Sequence, residues 1–113
     1  MPQKDYSQYD TNRAALINHT VALEFGVNAN DLIMDRRRGS PQTAMARQIA
    51  IYLFQSIFTD NMSRVGRVFK RHSTTVRHAC ETVEVCREDP VFDRRISVLE
   101  DFLRQAPIPA DCR

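Results

Sequence analysis

The sequence predicts an all-α domain of five to six helices with a helix-turn-helix inside it. Three observations carry this: apolar residues recur at three- and four-residue spacing, turn-formers interrupt that pattern at helix-length intervals, and no convincing alternating run marks a strand. At 113 residues, 42% of them hydrophobic, the chain can build one core and is too short for two. No stretch approaches the roughly 20 consecutive apolar residues of a membrane span, and the opening MPQKDYSQYDTNR has no apolar run like that of a secretory signal. The expected setting is soluble and cytoplasmic, with no membrane partner. Cys80, Cys86 and Cys112 are an odd number in no framework spacing, which suits a reducing compartment.

Residues 1–10 are polar and rich in turn-formers, and read as a flexible arm ahead of a domain over residues 11–105. From Thr11, Ala15, Leu16, Val21, Ala22, Leu23 and Phe25 fit an amphipathic helix that Gly26 stops. Asn30 or Asp31 can cap a short turn holding Leu32, Ile33 and Met34. DRRRGSP, residues 35–41, favours a loop. AMARQIAIYLFQSIF, residues 44–58, is the expected central buried helix, with Tyr52, Phe54 and Phe58 as core aromatics. Thr59, Asp60 and Asn61 cap a short helix from Met62 to Phe69 with Val65, Val68 and Phe69 turned inward. A second helix starts at Ser73 and runs through Val76, Ala79, Cys80 and Val83 to about residue 88. Pro90 ends that helix or opens the next, whose apolar stripe is Phe92, Ile96, Leu99, Phe102 and Leu103. Residues 106–113 read as a loose tail.

Charge is segregated along the chain. Residues 1–35 carry two basic and five acidic side chains, residues 36–78 nine and one, and residues 79–113 five and eight, for net values of −3, +8 and −3. A basic middle flanked by acidic segments is the footprint of a polyanion-binding surface, although a solvated helix face would show the same counts. Within that block the two short helices are joined by a tight basic turn, Lys70 and Arg71, in the outline of a helix-turn-helix. The second helix turns Ser73, Thr74, Arg77, His78 and Glu81 away from its buried set. Hydroxyls and Arg in the first turn of a recognition helix suit contact with base edges in the major groove, and its free N–H groups suit phosphate.

Other chemistries find no support in the spacing. His78 and Cys80 lie about 200° apart around a helix, so they diverge as metal ligands. His72 and Ser73 are neighbours on a helix with no acid to orient the base, which excludes a catalytic triad. Gly26, Gly39 and Gly66 form no phosphate-cradling motif. No enzyme activity, metal, cofactor or small-molecule substrate is expected. His78 reads as a polar contact near DNA or as a partly buried histidine, and His19 as structural. Acidic residues of the last helix, among them Asp93, Glu100 and Asp101, admit two readings: a protein-docking face or plain solvation.

The segment KRHSTTVRHAC, residues 70–80, resembles the C-terminal DNA-binding domain of the bacterial replication initiator DnaA, which typically reads Gly-Arg-Asp-His-Thr-Thr-Val, one variable residue, then His-Ala. The resemblance extends upstream in order through DLI at residues 31–33, RRR at 36–38, ARQIA at 46–50 and VGRVF at 65–69, and covers about residues 12–105. It implies that one of Arg36, Arg37 and Arg38 enters the minor groove. It further implies that Arg47, Gln48, Met62 and Ser63 meet the phosphate backbone, and that Arg71, Thr74 and Thr75 form the recognition turn.

Two departures stand out. His72 and Ser73 replace the family's base-reading Asp-His, and its Gly-Gly turn is reduced to Lys70, so the same docking with an altered sequence preference is expected. The initiator's ATPase module has no counterpart in this sequence, and the expectation is a stand-alone, nucleoid-associated DNA binder that regulates transcription, with phage-like or gene-transfer genes as its expected targets. The alternative is a replication modulator or adaptor that occupies initiator sites or binds the initiator or RNA polymerase.

Overall fold

A computed structural model describes residues 7–33 and 40–106. Among these residues there are six helices and no strand: α1 (Ser7–Phe25), α2 (Ala29–Ile33), α3 (Pro41–Ile57), α4 (Met62–Phe69), α5 (Ser73–Cys86) and α6 (Pro90–Gln105). The predicted all-α class with an internal helix-turn-helix is the one observed. No described helix is long and apolar enough to cross a membrane.

α3 is the axis around which the rest assembles. Ile49, Ala50, Ile51, Tyr52, Leu53 and Phe54 are all buried, so α3 is covered on nearly every side. α1 and α5 make its most extensive contacts, and α2, α4 and α6 close the remaining flanks. The facing stripes are Ala14, Ile17, Val21 and Ala22 on α1, and Val76, Ala79, Cys80 and Val83 on α5, each at helical three- and four-residue spacing. Phe54 meets Phe58 at 5.3 Å and Phe69 edge-on at 5.7 Å between ring centres, which seats α4 on the end of α3.

Several boundaries differ from the sequence reading, each for a local reason. α3 begins at Pro41 because Ser40 is its N-cap, accepting the Thr43 N–H at 3.0 Å, and Pro41 occupies the first helical position where its missing N–H costs nothing. Ser-Pro is therefore the helix start rather than the end of a loop. α1 begins at Ser7, not Thr11, and its Asp10 is buried: Arg64 of α4 donates to both Asp10 carboxylate oxygens, at 2.8 Å each. Asn28, rather than Asn30 or Asp31, fixes the start of α2, accepting the Asn30 N–H on its side chain and the Asp31 N–H on its carbonyl. α5 stops at Cys86, and Asp89 caps α6 with Pro90 in its first turn. Leu23 is 87% exposed and Phe102 53% exposed, because both lie off the buried stripes of their helices. Met34 lies outside the described residues.

A polar cluster joins α3, α5 and α6. Arg87, the C-cap of α5, donates to Asp93 at 2.6 Å, to the Tyr52 hydroxyl at 2.9 Å, to Ser97 at 2.9 Å and to Glu100 at 3.1 Å. Tyr52 in turn donates to Glu84, and Ser56 to Glu100. Buried Glu100 and partly exposed Asp93 are thus ion-pair partners of Arg87 and do not form a free acidic docking face. Burial works against the Arg87 charge, but bonds from Asp93, Glu100 and Tyr52 outweigh it and hold the guanidinium more firmly protonated than usual. Burial, helped by the bond to Glu84, pushes the Tyr52 hydroxyl up to about 12, and burial with Glu84 and Glu81 nearby pushes the Cys80 thiol up to about 11. Cys80 is accordingly an inert core residue.

Both groups favour their neutral forms more in the folded state than in the unfolded chain, whose values are 10.0 for Tyr and 9.0 for Cys. Their contribution is complete below the unfolded values and is lost as pH rises through the folded ones, a loss on the order of 2 kcal/mol per group. Denaturant midpoints should therefore fall between pH 9 and 12. Tyr52→Phe should reduce that fall above about pH 10 while costing about 1–2 kcal/mol at neutral pH, where Arg87 and Glu84 lose a partner; an unchanged alkaline slope in the variant would refute the linkage.

Candidate nucleic-acid interface

The helix-turn-helix is closed by one carbonyl. Gly66 O, inside α4, accepts the Lys70 N–H and, at 2.9 Å, the Arg71 N–H. A Cβ built on Gly66 would stand 2.4 Å from the Arg71 carbonyl oxygen and 3.6 Å from the Ser73 nitrogen, so only glycine lets the turn fold back this closely. The chain reverses at Lys70, which adopts a left-handed conformation at φ 57° and ψ 47°. This is the position that helix ends usually give to glycine, and a lysine there is strained.

α5 then starts at His72. Its backbone is extended, its carbonyl accepts the Val76 N–H, and its ring Nδ1 accepts the Thr74 N–H at 3.1 Å, which makes His72 the N-cap. Thr74, Thr75, Arg77 and His78 are exposed and Ser73 is half-buried. His78 thus belongs to the surface, and the reading of it as a partly buried histidine is set aside.

Between this turn and the first half of α3 lies a concave groove of about 510 Å³ lined by Ala44, Arg47, Gln48, Ile51, Lys70, Arg71, His72, Thr75, His78 and Ala79. Residues from α3 and from the α4–α5 turn, at least 19 positions apart in sequence, are brought to one wall. Among the described residues, three cations and two histidines line it, and no acidic side chain does. Arg47 also donates to the Asp31 carbonyl at 2.6 Å, which ties α2 to α3. Of the other expected residues, Met62 is half-buried against the core and Ser63 is exposed in the first turn of α4, and neither lines the groove. Arg36, Arg37 and Arg38 lie outside the described residues. No group of three His, Cys, Asp or Glu residues is placed to hold a metal among the described residues.

Residues 14–83 match the family described as the bacterial dnaA protein helix-turn-helix, a span running from α1 through most of α5. The chain belongs to this DnaA helix-turn-helix family. Relatives include the chromosomal replication initiator protein DnaA 2 of Chlamydia pneumoniae, 33% identical over 74% of this chain and 18% of its own length. The DnaA proteins of Desulfotalea psychrophila and Laribacter hongkongensis are 28% and 33% identical over 81% and 78% of this chain. The chain therefore spans about a fifth of the length of the curated relatives it matches. As a DnaA-type helix-turn-helix domain it is a DNA-binding module, and the basic groove lies at its recognition turn.

Sequence reasoning missed two features of this site. One is Gly66: a glycine in the interior of a short helix, where it weakens the helix by roughly 1 kcal/mol, signals a close backbone approach. The other is the capping role of His72, which has no strong sequence signature because Ser73, a better capping residue type, follows it.

The two ends of the turn should respond to substitution with opposite signs. Gly66→Ala should destabilise by about 1–3 kcal/mol through overpacking against Arg71, whereas Lys70→Gly should stabilise by about 1 kcal/mol by relieving the left-handed strain. Urea midpoints of the two variants check this; a neutral Gly66→Ala, or a destabilising Lys70→Gly, would contradict the turn geometry.

Proposed function

We propose that the chain is a sequence-specific binder of double-stranded DNA that lays α5 in the major groove and the arginines at 36–38 in the minor groove, and that it regulates transcription. The single observation that supports docking is the basic groove beside the recognition turn, where Arg47, Lys70 and Arg71 flank the exposed first turn of α5. Backbone phosphates fit cations at the rim, and Thr74, Thr75 and Arg77 at the helix start suit base edges. Arg47 donates to the Asp31 carbonyl, which anchors α2, and arginines such as those at 36–38 insert readily into a narrow minor groove. This is a binding role, with residence on the bacterial nucleoid.

The relatives carry the name chromosomal replication initiator protein, which favours a second reading, occupancy of initiator sites or contact with the initiator or RNA polymerase. Mapping bound sites in cells separates the two: unique promoter-proximal sites support a transcriptional regulator, and sites at the replication origin support a replication modulator.

Duplex affinity should fall steeply with salt, by about 0.9 log units per log unit of salt for each phosphate neutralised. Replacing Arg36, Arg37 and Arg38 together with alanine should weaken binding and flatten that slope by up to about three phosphate equivalents. Salt-independent binding that survives the triple replacement would contradict the proposal.

A further inference from the structure

We propose that His72 is a specificity-determining residue that presents a single outward hydrogen-bond donor, Nε2–H, and reads a guanine edge in the major groove. The capping geometry carries the inference. The Thr74 N–H lies in the first turn of α5, where no intrahelical carbonyl is available to it, and it points at His72 Nδ1 at 3.1 Å. A ring nitrogen that accepts an N–H carries no proton, so the one proton of the neutral imidazole resides on Nε2. The Thr74 hydroxyl, 3.1 Å from the same nitrogen, can only donate to it in that state. The His72 backbone is held as well, since its carbonyl accepts the Val76 N–H at 3.1 Å. The ring is therefore fixed in place and in tautomer before any ligand arrives.

That ring is exposed and lines the basic groove at the start of α5, the part of a recognition helix that meets base edges. A lone donor discriminates among the four edges. Guanine offers two adjacent acceptors, N7 and O6; adenine sets its one acceptor, N7, beside a donor amine; cytosine presents only a donor amine; thymine places a methyl group beside its one acceptor. Guanine is the edge with the most to offer and nothing to oppose. This assignment rests on the major-groove docking proposed above.

The test is a random-duplex selection with the full chain and with two variants that both keep the cap. In His72→Asn, Oδ1 caps the helix and the amide N–H groups remain as donors; in His72→Asp, the carboxylate caps and offers only acceptors. Matching thermal midpoints confirm that both fold. The wild type and His72→Asn should select guanine at one shared base pair. His72→Asp should lose that preference and turn to cytosine there, changing the guanine-to-cytosine affinity ratio by about tenfold to a hundredfold. Comparing the two duplexes with one variant divides out any general loss from the added negative charge. If all three proteins bind duplex and select the same base at every pair, or if the wild type selects no guanine that depends on residue 72, the assignment is overturned while DNA binding stands. If none binds duplex at any salt concentration, the parent proposal fails with it.

Discussion

The recognition turn depends on the absence of one carbon atom. Gly66 gives its carbonyl to two successive N–H groups and leaves open the space in which the Arg71 carbonyl lies 2.4 Å from where a Cβ would be. With α4 and α5 drawn this close, the chain has to reverse within three residues, and Lys70 takes the left-handed conformation that completes the reversal. The strain there is tolerated because both flanking helices are already fixed by their own packing. One consequence is that Lys70, Arg71 and His72 are delivered to the same wall as Arg47 and Gln48. A glycine at 70 would satisfy the backbone better but would remove a cation from that wall.

Each helix of the motif is pinned to a flanking helix by an arginine. Arg64 of α4 grips Asp10 of α1 in a two-bond fork, and Arg13 adds a second cation to the same carboxylate while lying over the Phe58 ring. Arg87, at the end of α5, binds Asp93 and Glu100 of α6 and the Tyr52 hydroxyl of α3. Such pairs are costly to desolvate, and their net stabilisation is small, but breaking one partner leaves a stranded charge. Their effect here is directional: α4 and α5 are held at both outer ends while Gly66 joins them at the inner one. The domain thus presents a recognition helix whose approach is set by the fold rather than by its ligand.

The parts legible in the sequence were those governed by neighbours along the chain. Apolar spacing located α1, α3, α5 and α6; the turn of Thr59, Asp60 and Asn61 announced α4, with Asn61 its actual N-cap; the exposed and buried faces of α5 followed from 3.6-residue periodicity. What escaped was decided by partners far away in sequence. Asp10 read as part of a polar arm because Arg64, 54 positions on, is what buries it. Glu100 and Asp93 read as surface acids because Arg87 was not visible as their common partner. Leu23 and Phe102 read as core because apolarity reveals preference for burial and not the width of the stripe that obtains it. Ser40 and Pro41 were legible in principle, since a Ser-Pro pair suits a helix start, but the arginines and Gly39 before them favoured a loop.

The most direct test of the account is amide chemical-shift mapping of the chain as a duplex recovered by selection is titrated in. The largest changes should fall on residues 70–78 and on residues 44–48 of α3, with the exposed face of α6, where Val91, Val98 and Phe102 lie open to solvent, unmoved. Shifts confined to that α6 face, or a recognition turn that does not respond to saturating duplex, would contradict the claim that the groove beside Gly66 is where this domain meets DNA.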